Sequence, residues 1–327
     1  MSKLSPGKYM PAGQLCIITW RKCVNIDELY KKLSEKIDTG RLEKNAQMSE
    51  HTTFRIGGPA DLLVRPTNAD EAEYVMSEVR NSGLPFIVIG NGSNLLVRDR
   101  GLRGVVVEMG SDFAKITVEG NVIRAQAGAL MSSVSKAAAE AGLTGLEFAG
   151  GIPGSVAGGV FMNAGAYGGE LKNVVSSVVV IEADGKVKAV PVEAMDFHYR
   201  YSAFQDSDAV IIEVILELKK GDKYAILTEM KEFAAKRNDK QPVNYPSAGS
   251  TFKRPDGYFA GKLIQDSGCM GFSSGGAQVS EKHAGFVINT GGATAKDVLN
   301  VIKHVQARVF EQSGVMLETE IRIIGEE

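Results

Sequence analysis

The residues that most often announce a function are scarce in this chain. Its 327 residues include three cysteines, Cys16, Cys23 and Cys269, without Cys-x-x-Cys spacing. That excludes a disulfide framework and points to a reducing compartment in which the thiols are inert. Four histidines, His51, His198, His283 and His304, are scattered without metal-ligand spacing, so no metal requirement is expected. No apolar run reaches membrane length, and Gln14 to Trp20 is too short for a signal segment and runs at once into Arg21 and Lys22. A cytoplasmic protein with no membrane partner is expected. The formal charge of -2 leaves no basic excess for nucleic acid. Neither a Gly-x-x-x-x-Gly-Lys-Ser/Thr loop nor a Gly-x-Ser-x-Gly elbow occurs, which argues against a P-loop NTPase and a serine hydrolase.

Glycine is what the chain has instead, 37 of them, concentrated in two stretches. Phe148 to Gly169 contains almost only small, uncharged residues, and Ile87 to Val97 places Gly90-Asn91-Gly92-Ser93-Asn94 at the end of an apolar strand. Backbone without Cβ atoms lets main-chain N–H groups approach a ligand closely. A nest of such groups holds phosphate oxygens. Two nests, about sixty residues apart, suit the two ends of one dinucleotide.

Around these loops the pattern is mixed. Asn25 caps a helix carrying Ile26, Leu29, Leu33 and Ile37. A strand from Ala60 to Arg65, a helix capped by Thr67 and running to about Asn81, and a strand from Phe86 to Ile89 make a β-α-β unit. Short strands come next over 104–109, 115–119 and 122–127, then a helix over 131–141 ended by Gly142. Pro153 and Ser155 open a further helix. Strands over 174–183, 186–190 and 210–219 include a hairpin at Asp184-Gly185. From Asp222 a helix to about Asn238, short elements, a helix over 294–312 and a strand near Thr319 to Ile324 complete the chain. The expected division is an extension over 1–24, a first domain over 25–219 in two parts (about 25–110 and 111–219), and a smaller domain over 220–327.

Seven motifs in this order resemble one family. They are Gly90-Asn-Gly-Ser-Asn-Leu-Leu-Val97, Ala149-Gly-Gly-Ile-Pro-Gly-Ser-Val-Ala-Gly-Gly159, Asn163-Ala-Gly-Ala-Tyr-Gly168, Tyr199-Arg-Tyr-Ser202, Pro246-Ser-Ala-Gly-Ser-Thr-Phe-Lys-Arg-Pro255, Lys282-His-Ala-Gly-Phe286 and Glu320-Ile-Arg-Ile-Ile324. Together they resemble the UDP-N-acetylenolpyruvoylglucosamine reductase (MurB) family, in its shorter second type, from about Leu42 to Gly325. The resemblance implies an α+β protein: an FAD-binding domain of the vanillyl-alcohol-oxidase (PCMH) type followed by a smaller α+β substrate domain. It also implies NADPH as reductant, a UDP-sugar enolpyruvyl ether as substrate and a place in peptidoglycan-precursor synthesis. The cofactor contacts carried over are Gly90, Asn91, Gly92, Ser93, Asn94, Gly150, Gly151, Ile152, Gly154, Ser155 and Gly159. No His or Cys lies in either glycine loop, so the FAD is expected to be non-covalent, and the protein a monomer.

Reducing an enolpyruvyl double bond requires a hydride on the methylene carbon and a proton on the carbon bearing the carboxylate. Negative charge gathers on that carboxylate between the two steps. Arg200 suits the clamp, because a guanidinium fork grips a carboxylate twice and keeps its charge. A carboxylate in the apolar run of Ile321, Ile323 and Ile324 either pairs with a cation or has its pKa raised; both Glu320 and Glu318 satisfy that chemistry, and the resemblance selects Glu320. Ser250, after Gly249, stands where the family has its proton donor. Lys240 matches a family phosphate-binding position; Arg254, where other members have a different polar residue, and Lys253 are further cations for the substrate diphosphate, and Tyr199 is expected to contact substrate or nicotinamide. His283 is expected to be structural. The competing readings are a different FAD-dependent oxidase on the same scaffold and a nucleotide-binding module without catalysis.

Overall fold

The structure is a computed structural model that describes residues 25–327. The expected extension, with Cys16 and Cys23, lies outside the described residues. Helix α1 (Ile26–Leu33) begins at a capping box, in which the Asn25 side chain accepts from the Glu28 N–H at 2.8 Å. Strand β1 (Leu42–Gln47), β2 (Pro59–Val64), helix α2 (Ala69–Ser82), β3 (Phe86–Ile89), β4 (Leu95–Val97) and β5 (Leu102–Glu108) come next. Asn68, not Thr67, caps α2, because Thr67 spends its N–H and hydroxyl on the Glu71 carboxylate. The β-α-β unit is present with β5 inserted, so β2 and β3 both pair in parallel with β5 in the order β1-β2-β5-β3. Leu29 and Leu33 from α1 and Val75, Met76 and Val79 from α2 are buried against Leu62, Val64, Val105 and Val107 of this sheet.

The next layer is antiparallel. Strands β6 (Ile116–Glu119), β7 (Val122–Gln126), β8 (Val175–Ile181), β9 (Val187–Pro191) and β10 (Val210–Glu217) run in the order β9-β8-β10-β7-β6. The turn between β8 and β9 falls at Asp184-Gly185, where Gly185 takes φ +86°. Helices α3 (Met131–Glu140) and α4 (Val156–Phe161) cover one face through Val134, Ala138, Val156 and Val160. Helix α5 (Lys223–Lys240) packs back on α3 and on the 3-10 turn Glu147–Gly151.

Helix α6 (Ala260–Asp266), strands β11 (Ser273–Ser274), β12 (Ala277–Val279) and β13 (Val287–Asn289), helix α7 (Ala295–Ser313) and strand β14 (Arg322–Ile324) complete the chain. Val298, Val301, Val305 and Val309 of α7 share one core with Ile264 and Val279, and also with Phe54, Ile56 and Leu96 from the amino-terminal half. The last strand begins later than its sequence suggests. Residues up to Ile321 stay irregular, and β14 pairs in parallel with β4, Arg322 opposite Leu95 and Ile324 opposite Val97. Glu320 therefore stands just ahead of the strand instead of within it. Asp99 adds a tie, its carboxylate accepting from the N–H groups of Ala295 at 2.7 Å and Lys296 at 3.0 Å. Among the described residues no helix is long and apolar enough to cross a membrane. Nor do they contain a group of three or more His, Cys, Asp or Glu suited to a metal.

Candidate active site

The two glycine stretches meet. Gly90 to Asn94 links β3 to β4, while Gly150 to Ser155 leads from the 3-10 turn into α4. A Cβ on Gly90 would fall 2.0 Å from the Ser155 hydroxyl, so any larger residue there would displace the Ser155 side chain. The Asn91 amide donates to the Pro153 carbonyl, and Ser155 caps α4 by accepting from the Gly158 N–H at 3.4 Å. Gly92 has φ +59°, and a Cβ on it would lie 2.2 Å from the His51 carbonyl. Close apposition of bare backbone is what main-chain binding of an anionic cofactor requires. Gly159 is buried, and the space its side chain would take is filled by Leu171 and Met131, so its smallness serves helix packing.

Two arginines that the sequence does not single out complete this surface. Arg237 of α5 lies against Gly151, and its Nε donates to Gln241 Oε1 at 3.1 Å. Arg322 of β14 sits over the Phe161 ring at 4.9 Å. Neither has a carboxylate within ion-pair distance among the described residues, and burial lowers the pKa of both. Arg322 nevertheless remains open to solvent. Two such cations beside two backbone nests fit a dinucleotide diphosphate. Each looks in sequence like an ordinary surface arginine, and the one signal available was Arg322 interrupting an isoleucine run.

The catalytic candidates converge beside this surface. Arg200 takes a left-handed backbone, φ +55°, and its Nε donates to Glu320 Oε1 at 2.7 Å. The two side chains are 23% and 14% exposed. Tyr199 donates its hydroxyl to Glu320 Oε2 at 3.3 Å and accepts from the Arg254 N–H at 3.3 Å. Burial raises the Tyr199 pKa, and the charge of Glu320 adds to the effect. The backbone of Glu320 is pinned on both sides: its N–H donates to the Thr251 carbonyl at 2.8 Å, and its carbonyl accepts from the Asn94 amide at 3.1 Å. Ser250 precedes Thr251 and comes after Gly249, whose φ is +78°, in a bridge with Phe286. Arg200, Ser250 and Glu320 thus come together, with Glu320 one hydrogen bond from the glycine loop.

The remaining candidates divide. Arg254 lies with its guanidinium 4.1 Å from the Phe259 ring, its backbone tied to Tyr199. Lys253 is engaged with Glu318 at 3.1 Å, and Glu318 is exposed, so Glu318 points away from the Arg200 group. Lys240 is the exposed last residue of α5, and among the described residues no hydrogen bond or ion pair joins it to that group. His283 accepts from the Gly285 N–H at Nδ1 and stacks edge-on against Phe286, and burial lowers its pKa, all in keeping with structural use.

Comparison with known proteins agrees with this geometry. Residues 60–190 match the model of an FAD binding domain, and residues 241–324 that of the UDP-N-acetylenolpyruvoylglucosamine reductase C-terminal domain. The UDP-N-acetylenolpyruvoylglucosamine reductase of Clostridium perfringens (strain SM101 / Type A) is 52% identical over 298 residues, covering 91% of this chain and 98% of that protein. The protein of the same name from Caldanaerobacter subterraneus subsp. tengcongensis is 48% identical over 298 residues, with the same coverage of both. The crystal structure of the UDP-N-acetylenolpyruvylglucosamine reductase (MurB) from Thermus caldophilus superposes with a TM-score of 0.76 at 35% identity, covering 86% of this chain and 98% of that one. The fold is accordingly α+β, an FAD-binding domain of the PCMH type followed by the reductase family's carboxy-terminal domain. With both models matched in order and relatives at half identity spanning nearly their whole length, the chain belongs to the UDP-N-acetylenolpyruvoylglucosamine reductase family.

Proposed function

We propose that the protein reduces the enolpyruvyl ether of a UDP-N-acetylglucosamine to the lactyl ether, with NADPH as reductant and a non-covalent FAD, in the synthesis of peptidoglycan precursors. The single observation that carries this reading is the Arg200–Glu320 pair, pinned between Thr251 beside Ser250 and Asn94 of the glycine loop. When bound, the flavin supplies the hydride chemistry between the nicotinamide and the substrate double bond. Gly90 to Asn94 and Gly150 to Ser155 hold the cofactor through main-chain N–H groups, with Arg237 and Arg322 set against its diphosphate. Charge that gathers on the substrate carboxylate is met by Arg200, whose guanidinium cannot lose its proton as that charge grows. Glu320 fixes the direction of that guanidinium through Nε, the Gly165 carbonyl accepts from Nη2 at 3.4 Å, and the remaining Nη protons are left to the substrate. Ser250 hands its hydroxyl proton to the carbon bearing the carboxylate. Tyr199 and Arg254 line the approach, and Lys240 joins them at the diphosphate end of the substrate.

In this reading the first domain ends near residue 219, a smaller substrate domain succeeds it, and the protein works as a cytoplasmic monomer. The test is spectroscopic. Purified protein loaded with FAD should bleach anaerobically with NADPH and recover its colour on addition of the enolpyruvyl UDP-sugar. Bleached protein that recovers in air and ignores the sugar would make it an oxidase instead.

A further inference from the structure

The left-handed backbone of Arg200 is unusual for a residue with a side chain, and the structure shows what holds it. His198 and Tyr201 exchange hydrogen bonds across a tight turn, at 3.2 and 3.3 Å, with Tyr199 and Arg200 at its corners. One end of that turn is fixed by Asn163, whose amide donates to the His198 carbonyl at 2.9 Å. The other end is fixed by Gln205. Its Nε2 donates to the Arg200 carbonyl at 2.9 Å and to the Phe161 carbonyl at 3.0 Å. An amide nitrogen carries two protons, and both are used. The same Phe161 carbonyl also accepts from the Ser202 hydroxyl at 2.9 Å. Phe161 is the last residue of α4, the helix that starts at the second glycine stretch.

We propose that Gln205 is a positioning residue for the reaction: it fastens the Arg200 turn to the end of the cofactor-side helix and so directs the guanidinium at Glu320 and the substrate carboxylate. The two short contacts of Nε2 are to carbonyl oxygens, with the Met162 sulfur farther off at 3.7 Å, and all three are acceptors, so a donor is what this position needs. Glutamate would set a carboxylate against two carbonyls, methionine would strip the Arg200 carbonyl of its donor and leave the Phe161 carbonyl to Ser202 alone, and lysine would reach both with an ammonium of three donors. The inference rests on Arg200 being the clamp.

The test compares FAD-loaded Gln205→Met, Gln205→Glu and Gln205→Lys in the two half-reactions. Gln205→Met and Gln205→Glu should slow flavin reoxidation by the enolpyruvyl UDP-sugar by ~10- to 100-fold, as misplacing a reacting group by about an ångström does, while reduction by NADPH stays within about twofold. Gln205→Lys should restore most of the loss. Calorimetry adds a readout without turnover: Gln205→Met should weaken binding of the lactyl UDP-sugar, which carries the carboxylate, and spare UDP-N-acetylglucosamine, which lacks it. In an Arg200→Ala background, Gln205→Met should add nothing. Equal slowing of both half-reactions, full additivity with Arg200→Ala, or no effect of Gln205→Met would overturn the proposal. A silent Arg200→Ala would overturn the clamp reading as well, whereas a severe Arg200→Ala with a silent Gln205→Met removes Gln205 alone.

Discussion

A serine hydroxyl surrenders its proton reluctantly, so a donor role for Ser250 depends on where it is held rather than on its acidity. The turn at Gly249 and the Phe286 bridge fix its backbone, and Thr251 binds Glu320. Ser250→Ala should therefore leave bleaching by NADPH almost unchanged while slowing recovery with substrate by about 10²- to 10⁴-fold, the usual range for losing a positioned acid. Stopped-flow traces of each half-reaction decide it, and equal slowing of both would remove Ser250 from the donor role. At this scale the sequence was only partly readable. Chemistry left Glu318 and Glu320 level; the structure separates them, because Glu318 spends its charge on Lys253 in solvent while Glu320 faces Arg200. Arg237 stayed hidden because its sequence surroundings are those of any surface arginine, and Arg322 offered only its place in an isoleucine run, which by itself does not tell a cofactor-side cation from one on an open surface.

Elements were legible where capping and periodicity agreed, as in α7, with Thr294 at its cap, Gly314 at its end and a valine stripe between. They were less so where neighbouring side chains compete for one role. At α2, Asn68 takes the cap because Thr67 is drawn to Glu71, which also accepts from Arg41 Nη2 at 2.9 Å. The Arg41 guanidinium, reinforced by Thr67, holds the Glu71 carboxyl down at about 2. A carboxylate whose pKa falls on folding stabilises the fold above its unfolded value, near 4.5, and the contribution fades as pH drops towards 2. Solvent access to the pair reduces its size without changing that sign. Glu71→Gln should thus lower the urea midpoint at pH 7, and the gap from the unsubstituted protein should narrow steadily below about pH 5. Urea titrations at several pH values check this, and a gap that stays constant into acid would assign the loss to capping or packing.

For the molecule as a whole, the informative feature is that its two ends cooperate. The periodic pattern gives each layer separately, but the parallel pairing of β14 with β4 joins residues more than two hundred positions apart, and no local signal carries a register of that length. This pairing places Glu320 beside Asn94 and Arg322 above Phe161, so the carboxy-terminal segment builds the site as well as closing the fold. It is reinforced beyond the strand, where the Arg98 N–H donates to the Ile324 carbonyl at 2.9 Å and the Arg98 guanidinium meets Glu327. Removing residues 322–327 keeps Arg200, Ser250 and Glu320 while deleting the strand and one of the two cofactor-side arginines. At ~1 kcal/mol for each backbone hydrogen bond lost, with the shift per kcal/mol shrinking as a chain lengthens, the melting temperature should fall by a few °C. The truncated protein should also bind FAD far more weakly, read by flavin fluorescence after gel filtration. If it keeps its colour and melts with the full chain, the carboxy-terminal strand neither closes the fold nor grips the cofactor, and Glu320 must be held at the site by Thr251, Asn94, Tyr199 and Arg200 without it.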